Sequence, residues 1–345
     1  MNILSILAIS LFFTGCPSTG DNTSNSNVKE EPLYAEQWAL HYDQNFYDKY
    51  AIDSNAHIHM DLARQRYTGK GVKIAIIDIS FDKEHFEYTN NIIFVNNSVD
   101  NSTNIQDTTK KEFYHGTAVA GIISSNINQQ GLAGIAPNAK IILISLGNSV
   151  SSVANAFTYA KNKGADIINC SWGTTNVDPL IKDIIDDVAT TGRNGKGIVV
   201  VFSSGNENIN NPNDEAMLDS VIGVGATDET NLRSVYSNFG AKLDIVAPGG
   251  YSLGITTTYD SNNSSHQNDF MQAKDLKPFI GTSAAAPIVS GAIALLLEKN
   301  PNLTRVEVQN ILKNSTDKIG IQAYINGRND YYGYGKLNID KMLEQ

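Results

Sequence analysis

Cysteine is almost missing from this 345-residue chain. Cys16 and Cys170 are the only two, too few for a disulfide framework and too dispersed for a thiolate metal centre. Positive charge is short as well: 26 Lys and Arg stand against 36 Asp and Glu, and the net charge of −10 repels phosphates, so no nucleic-acid partner is expected. With 41% apolar residues the chain can bury a sizeable core, which excludes a largely disordered protein. There is no fixed-period repeat and no EF-hand loop, and Gly223-Val224-Gly225-Ala226-Thr227-Asp228 lacks the third glycine of a dinucleotide fingerprint.

The first apolar run, Ile3 to Phe13, would rise about 16 Å as a helix, roughly half the hydrocarbon core of a bilayer. It ends in Phe13-Thr14-Gly15-Cys16, as an export signal does before its cleavage site, and resembles the lipobox of bacterial lipoproteins. Residues 1–15 are accordingly read as a lipoprotein-type signal peptide. Residues 16–31 are read as a lipidated Cys16 followed by a polar tether (PSTGDNTSNSN), and residues 32–345 as one folded domain. This reading places the protein outside the cytoplasm at a bacterial cell envelope, held to the membrane by lipid, or secreted if Cys16 is unmodified.

Within the domain, VKIAII (72–77), KIILI (140–144), DIINC (166–170), IVVVF (198–202) and SVIGV (220–224) are short β-branched runs suited to strands buried on both faces. Helical periods alternate with them: Val153, Ala156, Phe157 and Ala160, then Leu180, Ile181, Ile184, Ile185 and Val188. A long apolar segment, Ala284 to Leu297, precedes a capping-box pattern from Thr304 to Glu307. Strand–helix alternation predicts an α/β fold with a mainly parallel sheet, helices on both faces and a site at the carboxyl ends of the strands. Tyr259 to Pro278, rich in Ser, Asn and Asp in its first half, reads as a surface loop.

Four local contexts put reactive groups at that edge. Asp78 ends the first strand, His115 opens HGTAVAG, and Ser283 stands in GTSAAAP just before the apolar helix, near free backbone N–H groups. Asn206 follows another strand in SSGNE. A serine hydroxyl is a poor nucleophile at neutral pH; acyl transfer needs an adjacent base, and that base needs a partner that fixes its tautomer. His115, Asp78 and Ser283 supply those roles, and the Asn206 amide can complete an oxyanion hole with the Ser283 N–H.

In this chain order the four motifs resemble the subtilisin-like serine proteases, the subtilases. The resemblance implies a three-layer subtilisin-like fold and a serine endopeptidase of the peptidase S8 type, working through an acyl-enzyme on peptide or protein substrates without a catalytic cofactor, as a monomer. The flanks EPLYAEQWAL, YTGKGVKIAIID and GYGKLNID are most similar to the kexin and furin branch, without its C-terminal β-domain. Kexins carry a second Asp where this chain has Ile79 and acidic residues where it has Thr174-Thr175-Asn176, so dibasic specificity is not expected. No inhibitory propeptide is expected between Cys16 and the domain.

The resemblance further implies that Ser171-Trp172-Gly173 pairs with extended substrate, a form of β-augmentation, with the Trp172 side chain serving either substrate or core. Glu207 is a candidate for favouring a basic residue before the cleaved bond. Glu87 and Asn128 occupy positions where family members often ligate a structural calcium, and hard oxygen donors suit that ion. His57 and His59 are expected as surface histidines on one face of a strand, and Cys170 as a buried small hydrophobe. A catalytically silent peptide-binding scaffold of the same fold is the alternative to the enzyme.

Overall fold

The computed structural model describes residue 28 and residues 31–110, 112–260 and 269–345. The signal segment and Cys16 lie outside the described residues. In chain order the elements are α1 (Gln44–Tyr50), α2 (Asp61–Arg64), β1 (Lys73–Asp78), β2 (Ile92–Asn97), α3 (His115–Ser124), β3 (Lys140–Ser145), α4 (Val150–Asn162), β4 (Ile167–Cys170), α5 (Pro179–Thr191) and β5 (Val199–Ser203). Then follow β6 (Val221–Thr227), β7 (Ile245–Pro248), β8 (Thr257–Thr258), β9 (Phe270–Met271), α6 (Thr282–Lys299), α7 (Arg305–Asn314) and α8 (Ile339–Glu344).

Seven strands form one sheet in the order β2-β3-β1-β4-β5-β6-β7, every pair parallel. Alternate residues of a strand feed opposite layers because strand side chains alternate in direction. In β1, Ile74 and Ile76 join a core shared with α3 and α6, whereas Ala75 and Ile77 join a core shared with α4 and α5. The expected three-layer α/β fold is what forms. The surface loop expected over Tyr259–Pro278 is corrected in part: Phe270 and Met271 within it form β9, which pairs antiparallel with β8, and Tyr259, Phe270, Met271 and Ala273 are buried because their apolar side chains join the core.

The helix ends follow their sequence signals. Thr304 and Glu307 close a reciprocal capping box on α7, and Asp178 caps α5 with Pro179 in its first turn. In α6, Pro287 lies in the interior, where it has no N–H to give the carbonyl of Ser283 four residues earlier. That carbonyl instead accepts the Ser171 hydroxyl at 2.9 Å.

Another expectation is corrected. His57 and His59 sit in a loop, not a strand, with ring centroids 4.3 Å apart. His57 is buried, and burial, with the neighbouring His59 and Lys336 charges, pushes its pKa down to about 3. His59 instead faces Asp317 at 3.3 Å.

Candidate active site

Parallel strands deliver their carboxyl ends to one edge, and β1, β4 and β5 are adjacent there, with Ile77 paired to Cys170 and Cys170 to Phe202. Asp78 is the last residue of β1 and is almost wholly buried. The His115 ring, at the first position of α3, places Nδ1 2.8 and 3.0 Å from the two oxygens of Asp78. A carboxylate accepts, so Nδ1 carries the proton and Nε2 is left as the basic nitrogen. Asp78 Oδ1 also accepts the Ile79 N–H at 2.8 Å. Burial opposes charging of the imidazole, but the Asp78 charge and hydrogen bond outweigh it, and the His115 pKa ends above its ordinary value. Phe279 packs edge-on against the ring at 5.4 Å.

Ser283 lies in the first turn of α6, after Gly281 at φ +131°, a backbone conformation that favours glycine. Its hydroxyl donates to the Ser171 carbonyl at 2.9 Å instead of to His115, while the Ser171 hydroxyl donates back to the Ser283 carbonyl. The exchange is backed by buried side chains: Asn169 Nδ2 donates to Ser171 Oγ at 3.1 Å, and Ser290 Oγ donates to Asn169 Oδ1 at 2.8 Å. Asn206 is fixed by its oxygen, which accepts the Thr282 N–H at 2.9 Å and the Thr282 hydroxyl at 3.0 Å. This assigns the amide orientation and leaves Nδ2 as the outward donor.

The remaining sequence candidates divide. Ser171 exchanges hydrogen bonds with Ser283 and Gly173 lies against Asn213, but the Trp172 indole donates to the Ile77 carbonyl at 2.9 Å and packs on Phe202, so that side chain belongs to the core. The exposed Glu207 accepts a hydrogen bond from Asn238 Nδ2 at 2.7 Å. Cys170 is buried, and burial raises its thiol pKa, as expected of a small hydrophobe.

Glu87 is fully buried, and neither carboxylate oxygen has a hydrogen-bond partner. Burial first, then the Glu31 charge, push its pKa up to about 8; the Leu132 backbone pulls the other way by less. Glu31, which sequence reasoning missed, accepts the backbone N–H groups of Asn128, Gln129 and Gly131. The Asn128 side chain caps its own loop, its oxygen accepting the Gln130 N–H. Among the described residues no cluster of three or more His, Cys, Asp or Glu forms. Two buried carboxylates beside a loop rich in backbone carbonyls nonetheless suit a hard divalent cation, and the orphaned Glu87 oxygens are the strongest sign of one.

Comparison with known proteins adds the family. The model described as "Subtilase family" matches residues 69–335. The chain belongs to the subtilases. Among curated subtilase relatives, subtilisin Savinase of Lederbergia lenta is 31% identical over 278 residues, covering 79% of this chain and 91% of that protein. A calcium-dependent protease of Trichormus variabilis is 35% identical over 323 residues, 84% of this chain but 48% of the relative, so this subtilase spans about half its length. A solved serine protease of Aeromonas sobria, in complex with its chaperone, superposes with a TM-score of 0.77 at 21% identity over 91% of this chain and 66% of that one, a likeness of fold. A protease of Pseudoalteromonas arctica gives 0.74 at 24% identity, over 91% and 98% of the two chains.

Proposed function

We propose that this chain is a serine endopeptidase in which Ser283 attacks the scissile carbonyl. His115 Nε2 takes the hydroxyl proton and later gives it to the leaving amine, Asp78 holds the imidazole and its positive charge, and Asn206 Nδ2 with the Ser283 N–H binds the oxyanion. Water then releases the acyl group. The observation that carries the reading is the paired contact of His115 Nδ1 with both Asp78 oxygens, on the sheet edge that also presents Ser283 and Asn206. A turn of the Ser283 side chain from Ser171 toward the imidazole is the remaining step; such hydrogen bonds commonly tighten only with substrate bound. A fluorophosphonate probe should label Ser283 in the full chain and not in H115A. No labelling of the native protein would favour the silent scaffold.

A structural calcium fits the same domain, with Glu87, Glu31 and the loop bearing Asn128 as its holders; a relative's name, calcium-dependent protease, supports it. The ion would neutralise a buried carboxylate pair and stiffen the loop between α3 and β3, with no part in the chemistry. Attachment to a bacterial envelope through a lipidated Cys16 is part of the proposal and rests on sequence alone; intact-mass measurement of exported protein tests it, an unmodified Cys16 refuting it. The kexin-like flanks extend to no dibasic preference, given Ile79 and Thr174-Thr175-Asn176.

A further inference from the structure

Strands buried on both faces leave little room for polar side chains, yet β4 carries Asn169 as its third residue, wholly buried. Its register partners across the sheet are Ile76 in β1 and Val201 in β5, both apolar and wholly buried. Asn169 shares its side of the strand with Ile167, which lies in the core shared with α3 and α6, so its carboxamide is aimed at α6. A buried carboxamide destabilises a fold unless its hydrogen bonds are made. This one makes them in a single direction.

That direction is fixed at the far end. The Ser283 carbonyl can only accept, so the one proton of the Ser171 hydroxyl points at it over 2.9 Å. Ser171 Oγ must then accept from its other neighbour, which turns Asn169 Nδ2 toward it at 3.1 Å and leaves Oδ1 to accept the Ser290 hydroxyl at 2.8 Å. Ser171, Asn169 and Ser290 are all buried, so bulk water cannot replace a lost partner. On α6, Ser283, Pro287 and Ser290 stand at i, i+4 and i+7, one face over two turns. Pro287 frees the Ser283 carbonyl, and Ser290 anchors the file of donors that claims it. The residue of the nucleophile is thereby gripped twice from β4: its carbonyl by the Ser171 hydroxyl, its own hydroxyl by the Ser171 carbonyl. When that hydroxyl turns toward His115 the second grip is released, and the first is the one that stays.

We propose that Asn169 is a positioning residue: held by Ser290, it fixes the direction of the Ser171 proton and so keeps the Ser283 backbone in place while the nucleophile turns. This rests on the catalytic reading above. The test is kcat and KM on one fluorogenic peptide, per fluorophosphonate-titrated site of the full chain, for the wild type, N169L, S171A and N169L/S171A. N169L, close to asparagine in size, should lower kcat about tenfold or more with KM changed less than about threefold, in keeping with the rate cost of a slightly misplaced reacting group. S171A should lose a similar amount, and the double variant about as much as either single one, because the two side chains act on the same carbonyl. A general loosening of the core would instead give losses that multiply. Should N169L not fold, S290A carries the test: kcat should fall severalfold and return in S290T. Wild-type kcat in N169L, or in S290A where N169L is lost, overturns the proposal while leaving a labelled, active serine enzyme, and so do losses that multiply in the double variant. A wild type that is neither labelled nor active overturns the catalytic reading itself.

Discussion

Two carboxylates nine residues apart, Asp78 and Glu87, are both withdrawn from water, and the fold treats them oppositely. Asp78 meets an imidazole N–H and a backbone N–H; Glu87 has only a weak pull from the Leu132 backbone and faces the negative charge of Glu31. Burial alone therefore says little about a carboxylate's task. Donors aimed at it mark a group kept charged and oriented, whereas their absence marks either a protonated acid or a place reserved for a cation.

The comparison breaks most sharply at Asp78. D78N should lower kcat by about 10⁴, the loss that a wrong imidazole tautomer brings in such triads. The acid limb of the kcat/KM profile, set above the ordinary imidazole value while Asp78 is charged, should move to lower pH in that variant. A profile that stays in place would separate the two residues functionally. Next in size, N206A should reduce kcat by about 10²–10³, the cost of losing one oxyanion donor, with KM much less affected.

Glu87 should betray itself through stability instead of rate. Its folded pKa of about 8 exceeds the 4.5 of a free glutamate, so between these values the unfolded chain binds fewer protons than the folded one, and stability must fall as pH rises through that window. In chelator the melting temperature should drop from pH 5 to pH 8, calcium should restore it most at the upper end, and E87Q should flatten the slope and abolish the calcium effect. A melting curve indifferent to both calcium and E87Q would mean that no ion is held there. The smallest change is expected from S290A, which leaves Asn169 short of a buried partner and should cost about 1–3 kcal/mol in denaturant unfolding.

The sequence announced β1, β3, β4, β5 and β6 because each is a run of β-branched residues buried on both faces. It was silent on β2, an edge strand with half-exposed IIFVNN, and on β7, four residues long. Asp78, His115, Ser283 and Asn206 were legible from their places at strand and helix ends. Glu31 was not, since it stands beside a low-complexity tether. The misplaced strand at His57–His59 shows the converse error, since alternation over three residues reads the same in an irregular loop.

Pro287 leaves a last consequence for anyone engineering this molecule. Swapping an internal helix proline for alanine is an obvious route to heat resistance. Here it would hand α6 a rung by recapturing the oxygen that the Ser171 hydroxyl now grips. The sturdier helix would share that oxygen with the Ser171 hydroxyl, so heat resistance gained at this one position should come with a looser hold of Ser171 on the Ser283 segment.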